Sequence, residues 1–157
     1  MKKNNLYDLL IFVLSAELVG VLSSLFAGNI STVYKTLEKP PLSPPSWVFP
    51  IVWVILYALM GISAFLVYHS GAEPVRVKSA LRIYWLQLVV NFSWSIVFFR
   101  FQAFWAAAVV LAILLILVIT MLVKFAKIRP AAALVSVPYL IWILFAAYLN
   151  VATAVLN

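Results

Sequence analysis

The sequence predicts an all-α fold: a polytopic membrane protein, one domain over residues 1–157, built as a bundle of five transmembrane helices. Three observations carry that expectation. Apolar residues make up 67% of the chain and charged ones 10%, with a mean hydropathy of +1.15, far above what a soluble domain carries. Five apolar runs are each long enough to cross about 30 Å of hydrocarbon, which takes roughly 20 helical residues. Those runs are apolar on every side, whereas the strands of a membrane barrel alternate polar and apolar residues over about ten positions.

The first run, Leu6–Ala27, follows Lys2 and Lys3 as a signal peptide would. Its apolar core exceeds the usual ~7–15 residues and contains Glu17, and no small-x-small cleavage site follows, so it is expected to be retained. Glu17 falls near mid-span, where an ionised carboxylate costs at least ~2.5 kcal/mol, so it must be protonated, paired or near water. Ala16, Gly20, Ser24 and Gly28 recur four apart beside it, a small-residue stripe that lets helix backbones approach closely. Glu17 is therefore expected to point into the bundle or a subunit interface.

A long Pro-rich loop, 28–45, ends in "LEKPPLSPPSWVFPIVW", Leu37 to Trp53. Pro40, Pro41, Pro44 and Pro45 fix their own φ and push the preceding residues to extended conformations, so the chain is expected to enter the second span as a short stiff rod. Ser46 is a candidate helix cap, and Pro50 falls in the first turn, where a missing N–H is tolerated. Trp47 falls at interfacial depth. The stretch reads either as an interfacial anchor or as a lid of Pro44, Pro45 and Trp47 over the end of a cavity; a stiff lid has little entropy to lose when ligand binds.

The second run, Ser46–Tyr68, carries Trp53, Tyr57, Met60, Gly61 and Ala64 at helical spacing on one face. The third, Ala80–Phe99, does the same with Gln87, Asn91, Trp94, Ser95 and Phe98. Phe104–Phe125 is the fourth. The fifth, Ala131–Leu156, aligns Pro138, Trp142, Phe145, Ala146, Leu149 and Asn150. An amide in hydrocarbon costs free energy unless it is paired, so Gln87, Asn91 and Asn150 should face the interior. Two readings stand at this level: interhelical hydrogen bonds, worth ~0.6 kcal/mol on average, or a cavity for a flat, largely apolar ligand whose edge these groups fix.

Five spans place Lys2, Lys3, Arg76, Lys78, Arg82, Lys124, Lys127 and Arg129 on one side and only Lys35, Lys39 and Arg100 on the other, which puts the amino terminus inside. That bias accounts for the net charge of +7, so no nucleic-acid partner is expected. The chain has no cysteine, one histidine (His69), and only Asp8, Glu17, Glu38 and Glu73 as acids. A thiolate or His-based metal site, a Ser-His-Asp arrangement and a Gly-rich phosphate loop are all beyond this inventory, and neither a cofactor nor conventional acid/base catalysis is expected.

The segments "ELVGVLSSLF", "YKTLEKPPLSPPSWVFPIVWVILYALMG", "LQLVVNFSWSIVFF" and "PYLIWILFAAYLN" together resemble the translocator protein / tryptophan-rich sensory protein (TspO/MBR) family over nearly the whole chain. The resemblance implies a five-helix bundle, often a homodimer in the bilayer, that binds porphyrins such as protoporphyrin and haem, or similar hydrophobic small molecules. In animal members it extends to sterols and benzodiazepine-type ligands. The family's pocket lies between the helices beneath the first long loop, and its ligand-facing positions match Trp53, Tyr57, Asn91, Trp94, Trp142 and Ala146. Phe145 and Asn150 share the derived faces with them.

This chain departs from the family at Leu42, where an aromatic is common, and at Val33-Tyr34, where a Trp-Tyr pair is common. It also lacks the tail with the sterol-recognition pattern of animal members, although Arg82 to Leu86 fits the reversed pattern. Two function classes follow from the resemblance. One is a membrane receptor or sensor for porphyrin; the other is light- and oxygen-dependent porphyrin breakdown, in which Trp53 and Trp142 would take part. Sterol or lipid transport and scaffolding of a partner protein are weaker options. The expected location is a bacterial cytoplasmic membrane.

Overall fold

Local chemistry sets where each helix begins and ends. In the computed structural model, which describes residues 4–157, Asn4 caps α1 (Asn5–Ala27) through its side-chain oxygen on the Tyr7 amide, and Gly28, at φ 84°, ends it. Asn29 then caps a short α2 (Ile30–Thr36) through the Thr32 amide. The expected loop 28–45 thus contains a helix. The proline run does not form a straight rod either: the Ser43 amide bonds the Pro40 carbonyl and Leu42 takes φ 70°, so the chain turns there. Helix α3 (Val48–Tyr68) starts without a side-chain cap, so Ser46 does not fill that role.

Helix α4 (Pro74–Ser95) has Pro74 in its first turn and begins six residues before the predicted Ala80, because Arg76 and Lys78 sit on the helix rather than before it. It runs on into a wider π-helical turn, Ile96–Arg100, in which the Phe101 amide bonds the Ile96 carbonyl. Arg129, held extended by the proline after it, separates α5 (Phe104–Ile128) from α6 (Pro130–Leu156). All helices but α2 are long and apolar enough to span a bilayer.

The spanning helices close a ring in the order α1, α3, α6, α5, α4, with α3 and α4 also meeting across the middle. Helix α1 fits tightly against α3 because glycines face each way. A methyl group on Gly61 would come within 2.5 Å of the Val13 Cα, and one on Gly20 within 2.5 Å of the Tyr57 ring. Ala16 is fully buried on the same face, whereas Ser24 is exposed, so only part of the small-residue stripe is used. Glu17 is half-buried and makes no hydrogen bond or ion pair among the described residues.

At one membrane face, Asp8 pairs with His69 at 2.8 Å, and Arg76 donates to the Lys127 carbonyl at 2.8 Å. Lys2 and Lys3, counted to this face from the sequence, lie outside the described residues. The loop, α2 and the π-helical turn lie at the opposite face, where Arg100 donates to the Phe26 carbonyl at the end of α1.

Candidate functional site

The buried amides build the middle of the bundle. Asn91 accepts from the Tyr57 hydroxyl at 3.2 Å and donates to the Tyr139 oxygen at 2.7 Å, and the Tyr139 hydroxyl donates to Gln87 at 2.7 Å. Gln87 in turn approaches the Met60 sulfur at 3.6 Å. This chain ties α3, α4 and α6 together with its polar atoms satisfied, as hydrocarbon surroundings require. Nearer the loop face, the Trp94 indole donates to Asn150 at 2.9 Å, and Asn150 donates to the Phe104 carbonyl at 2.9 Å.

Above these networks, directly under the loop, lies a cleft. Trp53 and Phe49 of α3, Trp94 at the end of α4, Phe98 and Phe99 of the π-helical turn, and Trp142, Ala146 and Asn150 of α6 form its walls; Tyr34, Lys39, Pro40 and Ser43 roof it. The π-helical turn matters here, since it carries Phe98 and Phe99 to the wall below α2. The cleft is narrow in this conformation: its volume of about 40 Å³ holds about two or three waters. A drug-sized ligand needs about 300 Å³ or more, so the roof must lift for one to enter.

The roof is built to seat on the walls. The Tyr34 hydroxyl donates to the Pro44 carbonyl, and its ring meets Phe49 edge-on at 5.2 Å; Phe49 meets Trp142 in the same way at 6.0 Å. Burial pushes the Tyr34 phenol above its ordinary range, against a smaller opposing effect of Ser43, so it remains a neutral donor. At the far side Tyr148 donates to the Pro41 carbonyl at 2.7 Å. Asn157 brackets Glu38, accepting from its amide at 3.1 Å and donating to its carbonyl at 3.0 Å. Asn157→Ala is expected to loosen this edge, speeding hydrogen exchange at the Glu38 amide by about fivefold, the equivalent of one lost hydrogen bond of about 1 kcal/mol.

Of the residues singled out from the sequence, Trp53, Trp94, Trp142, Ala146 and Asn150 line the cleft. Tyr57 and Asn91 lie beneath it and bond each other, while Phe145 packs behind Trp142 at 5.5 Å. Gly61, on the same predicted face as Trp53, turns instead onto the backbone of α1. In the loop, Pro44 supplies its carbonyl to Tyr34, and neither Pro45 nor Trp47 lines the cleft; Trp47 is 66% exposed, as an interfacial anchor would be. Phe98 and Leu149, on the helical faces of Trp94 and Trp142, line the cleft as well, whereas Lys39 and Phe99 are not among the candidate site residues that helical spacing selects.

The polar inventory of the cleft is uneven. Tyr34, Ser43, Trp94 and Asn150 have partners, but the indole N–H groups of Trp53 and Trp142 and the Lys39 ammonium make no hydrogen bond among the described residues. The Lys39 ammonium rests 5.0 Å above the Tyr34 ring. No cluster of metal-binding side chains occurs among the described residues.

The TspO/MBR family model matches residues 12–156. A tryptophan-rich protein TspO from Chlorobaculum tepidum is 37% identical over 140 residues, covering 88% of this chain and 89% of that protein. One of the same name from Archaeoglobus fulgidus is 37% identical over 155 residues, covering 98% and 99%. The translocator protein of Ovis aries is 32% identical over 118 residues, covering 74% and 70%.

Proposed function

Since this chain belongs to the TspO/MBR family of membrane sensors and translocators, we propose that it binds a flat, carboxylate-bearing tetrapyrrole such as protoporphyrin in the cleft beneath the proline loop. The observation that carries the reading is the pairing of large aromatic walls with unused donors. Trp53, Trp94 and Trp142 offer ring faces from three different helices, and the free N–H groups of Trp53 and Trp142 can meet acceptors on a ligand. Lys39, at the solvent edge of the roof, is placed for a carboxylate. Tyr57, Asn91 and Tyr139 act one layer below as a rigid, satisfied floor that holds Trp53, whose ring lies 5.6 Å from Tyr57.

Binding requires the roof to lift and reseat, so occupancy of the cleft and the position of α2 and the loop are coupled; that coupling is how a bound ligand would be sensed at the membrane surface. The family's frequent dimerisation fits the sparse burial of α1, whose exposed face includes Leu14, Leu18, Val21 and Leu25. The basic face holding Arg76, Lys124, Lys127 and Arg129 is assigned to the cytoplasmic side of a bacterial membrane.

The test is a Soret-band titration of purified protein with protoporphyrin and with its dimethyl ester. Lys39→Gln should weaken the free acid by about two- to fivefold, as expected for a solvent-exposed ion pair, and more at low salt, while leaving the ester unchanged. Equal effects on acid and ester would remove Lys39 from the site. Absence of saturable binding would remove the function.

A further inference from the structure

The membrane face opposite the cleft holds an open groove of about 570 Å³ between the end of α3, the turn at 69–73 and the first turns of α4. Tyr68, Gly71, Lys78, Arg82 and Trp85 line it. Lys78, Arg82, Trp85 and Val89 recur at i, i+4, i+7 and i+11, so they form one ridge, and all four are exposed. At 1.5 Å per residue, Arg82 lies about 6 Å and Trp85 about 10 Å deeper than Lys78 along the helix, with Val89 about 16 Å deeper. The indole of Trp85 is backed by the Phe12 ring, stacked at 6.3 Å, which makes it a fixed wall.

Among the described residues, most other charges near this groove are committed. Asp8 pairs with His69, Arg76 donates to the Lys127 carbonyl, Arg129 to the Leu66 carbonyl, and Lys124 to Ser79. Lys78 and Arg82 make no hydrogen bond or ion pair among the described residues, and Glu73, the nearest acid in the turn, pairs with neither. Two free cations at the membrane surface therefore stand above an aromatic wall and then an apolar ridge. That order is the order of an anionic phospholipid, headgroup outermost and acyl chain below.

We propose that this groove binds an anionic phospholipid of the leaflet at the amino-terminal face, with its phosphate held by Lys78 and Arg82 and an acyl chain lying along Trp85 and Val89. The site is independent of the tetrapyrrole cleft, and each can fail without the other.

Native mass spectrometry of the detergent-solubilised protein with equimolar phosphatidylglycerol and phosphatidylcholine tests it. The wild type should retain phosphatidylglycerol preferentially. Lys78→Gln and Arg82→Gln should each lower that preference by about fivefold, with porphyrin binding at the far cleft unchanged as the check on folding. Lys127→Gln, on the same face but outside the groove, should keep the preference, and millimolar inorganic phosphate should not displace the lipid. Equal retention of the two lipids by wild type, an equal loss in Lys127→Gln, a preference that survives both groove substitutions, or displacement by phosphate alone would each overturn the proposal.

Discussion

Gly61→Ala is expected to destabilise the bundle by about 3 kcal/mol, the upper part of the range for overpacking a filled core. The added methyl would meet the Val13 Cα at 2.5 Å and the Phe12 carbonyl at 2.8 Å, and backbone cannot rotate away as a side chain can. Helix α1 must move off α3, and the contacts of Ala16 and Gly20 go with it. Thermal unfolding in detergent, followed by circular dichroism, measures the loss. Gly28→Ala is the comparison by a different route: nothing lies within 4 Å of its added carbon, so its cost, about 1–3 kcal/mol, comes from the backbone alone (φ 84°, ψ −141°, a combination nearly reserved for glycine), and it should leave the α1–α3 packing unchanged. A Gly61→Ala protein as stable as the wild type would show that α1 and α3 do not pack as described.

The second large effect is on binding. Trp53→Phe combined with Trp142→Phe removes the two unpaired indole donors and part of the wall area while leaving an aromatic ring at each place. At about 1 kcal/mol for each lost hydrogen bond, protoporphyrin affinity should fall about thirty-fold. Trp105→Phe, at a side chain 60% exposed on the outside of α5, should leave it unchanged. Unaltered affinity in the double variant, with the fold intact, would place the ligand elsewhere.

The spans were legible because length and apolarity are properties of the sequence itself. Their ends were less so. The basic residues before Ala80 read as a separator, yet Pro74 starts a helix there and long side chains carry the charges outward. The seven residues of α2 are too few to show a period, and only the Asn29 cap marked them. Helical spacing grouped Trp53 with Gly61, but a face shared in sequence meets two neighbours in space: Trp53 looks toward α6 and the cleft, and Gly61 toward α1. Burial of Asn91 and Asn150 could be read from their cost in hydrocarbon. That Asn91 would be satisfied by Tyr57 and Tyr139, below the cleft rather than in it, depends on helix order and could not. The π-helical turn that delivers Phe98 and Phe99 has no sequence mark of its own.

The account turns on where the ligand sits, and a structure of the protein with protoporphyrin bound measures that directly. The account predicts the macrocycle between Trp53 and Trp142, the loop and α2 raised, a propionate near Lys39, and Asn91 still bonded to both tyrosines. A macrocycle on the lipid-facing surface, above a cleft still shut, would contradict it.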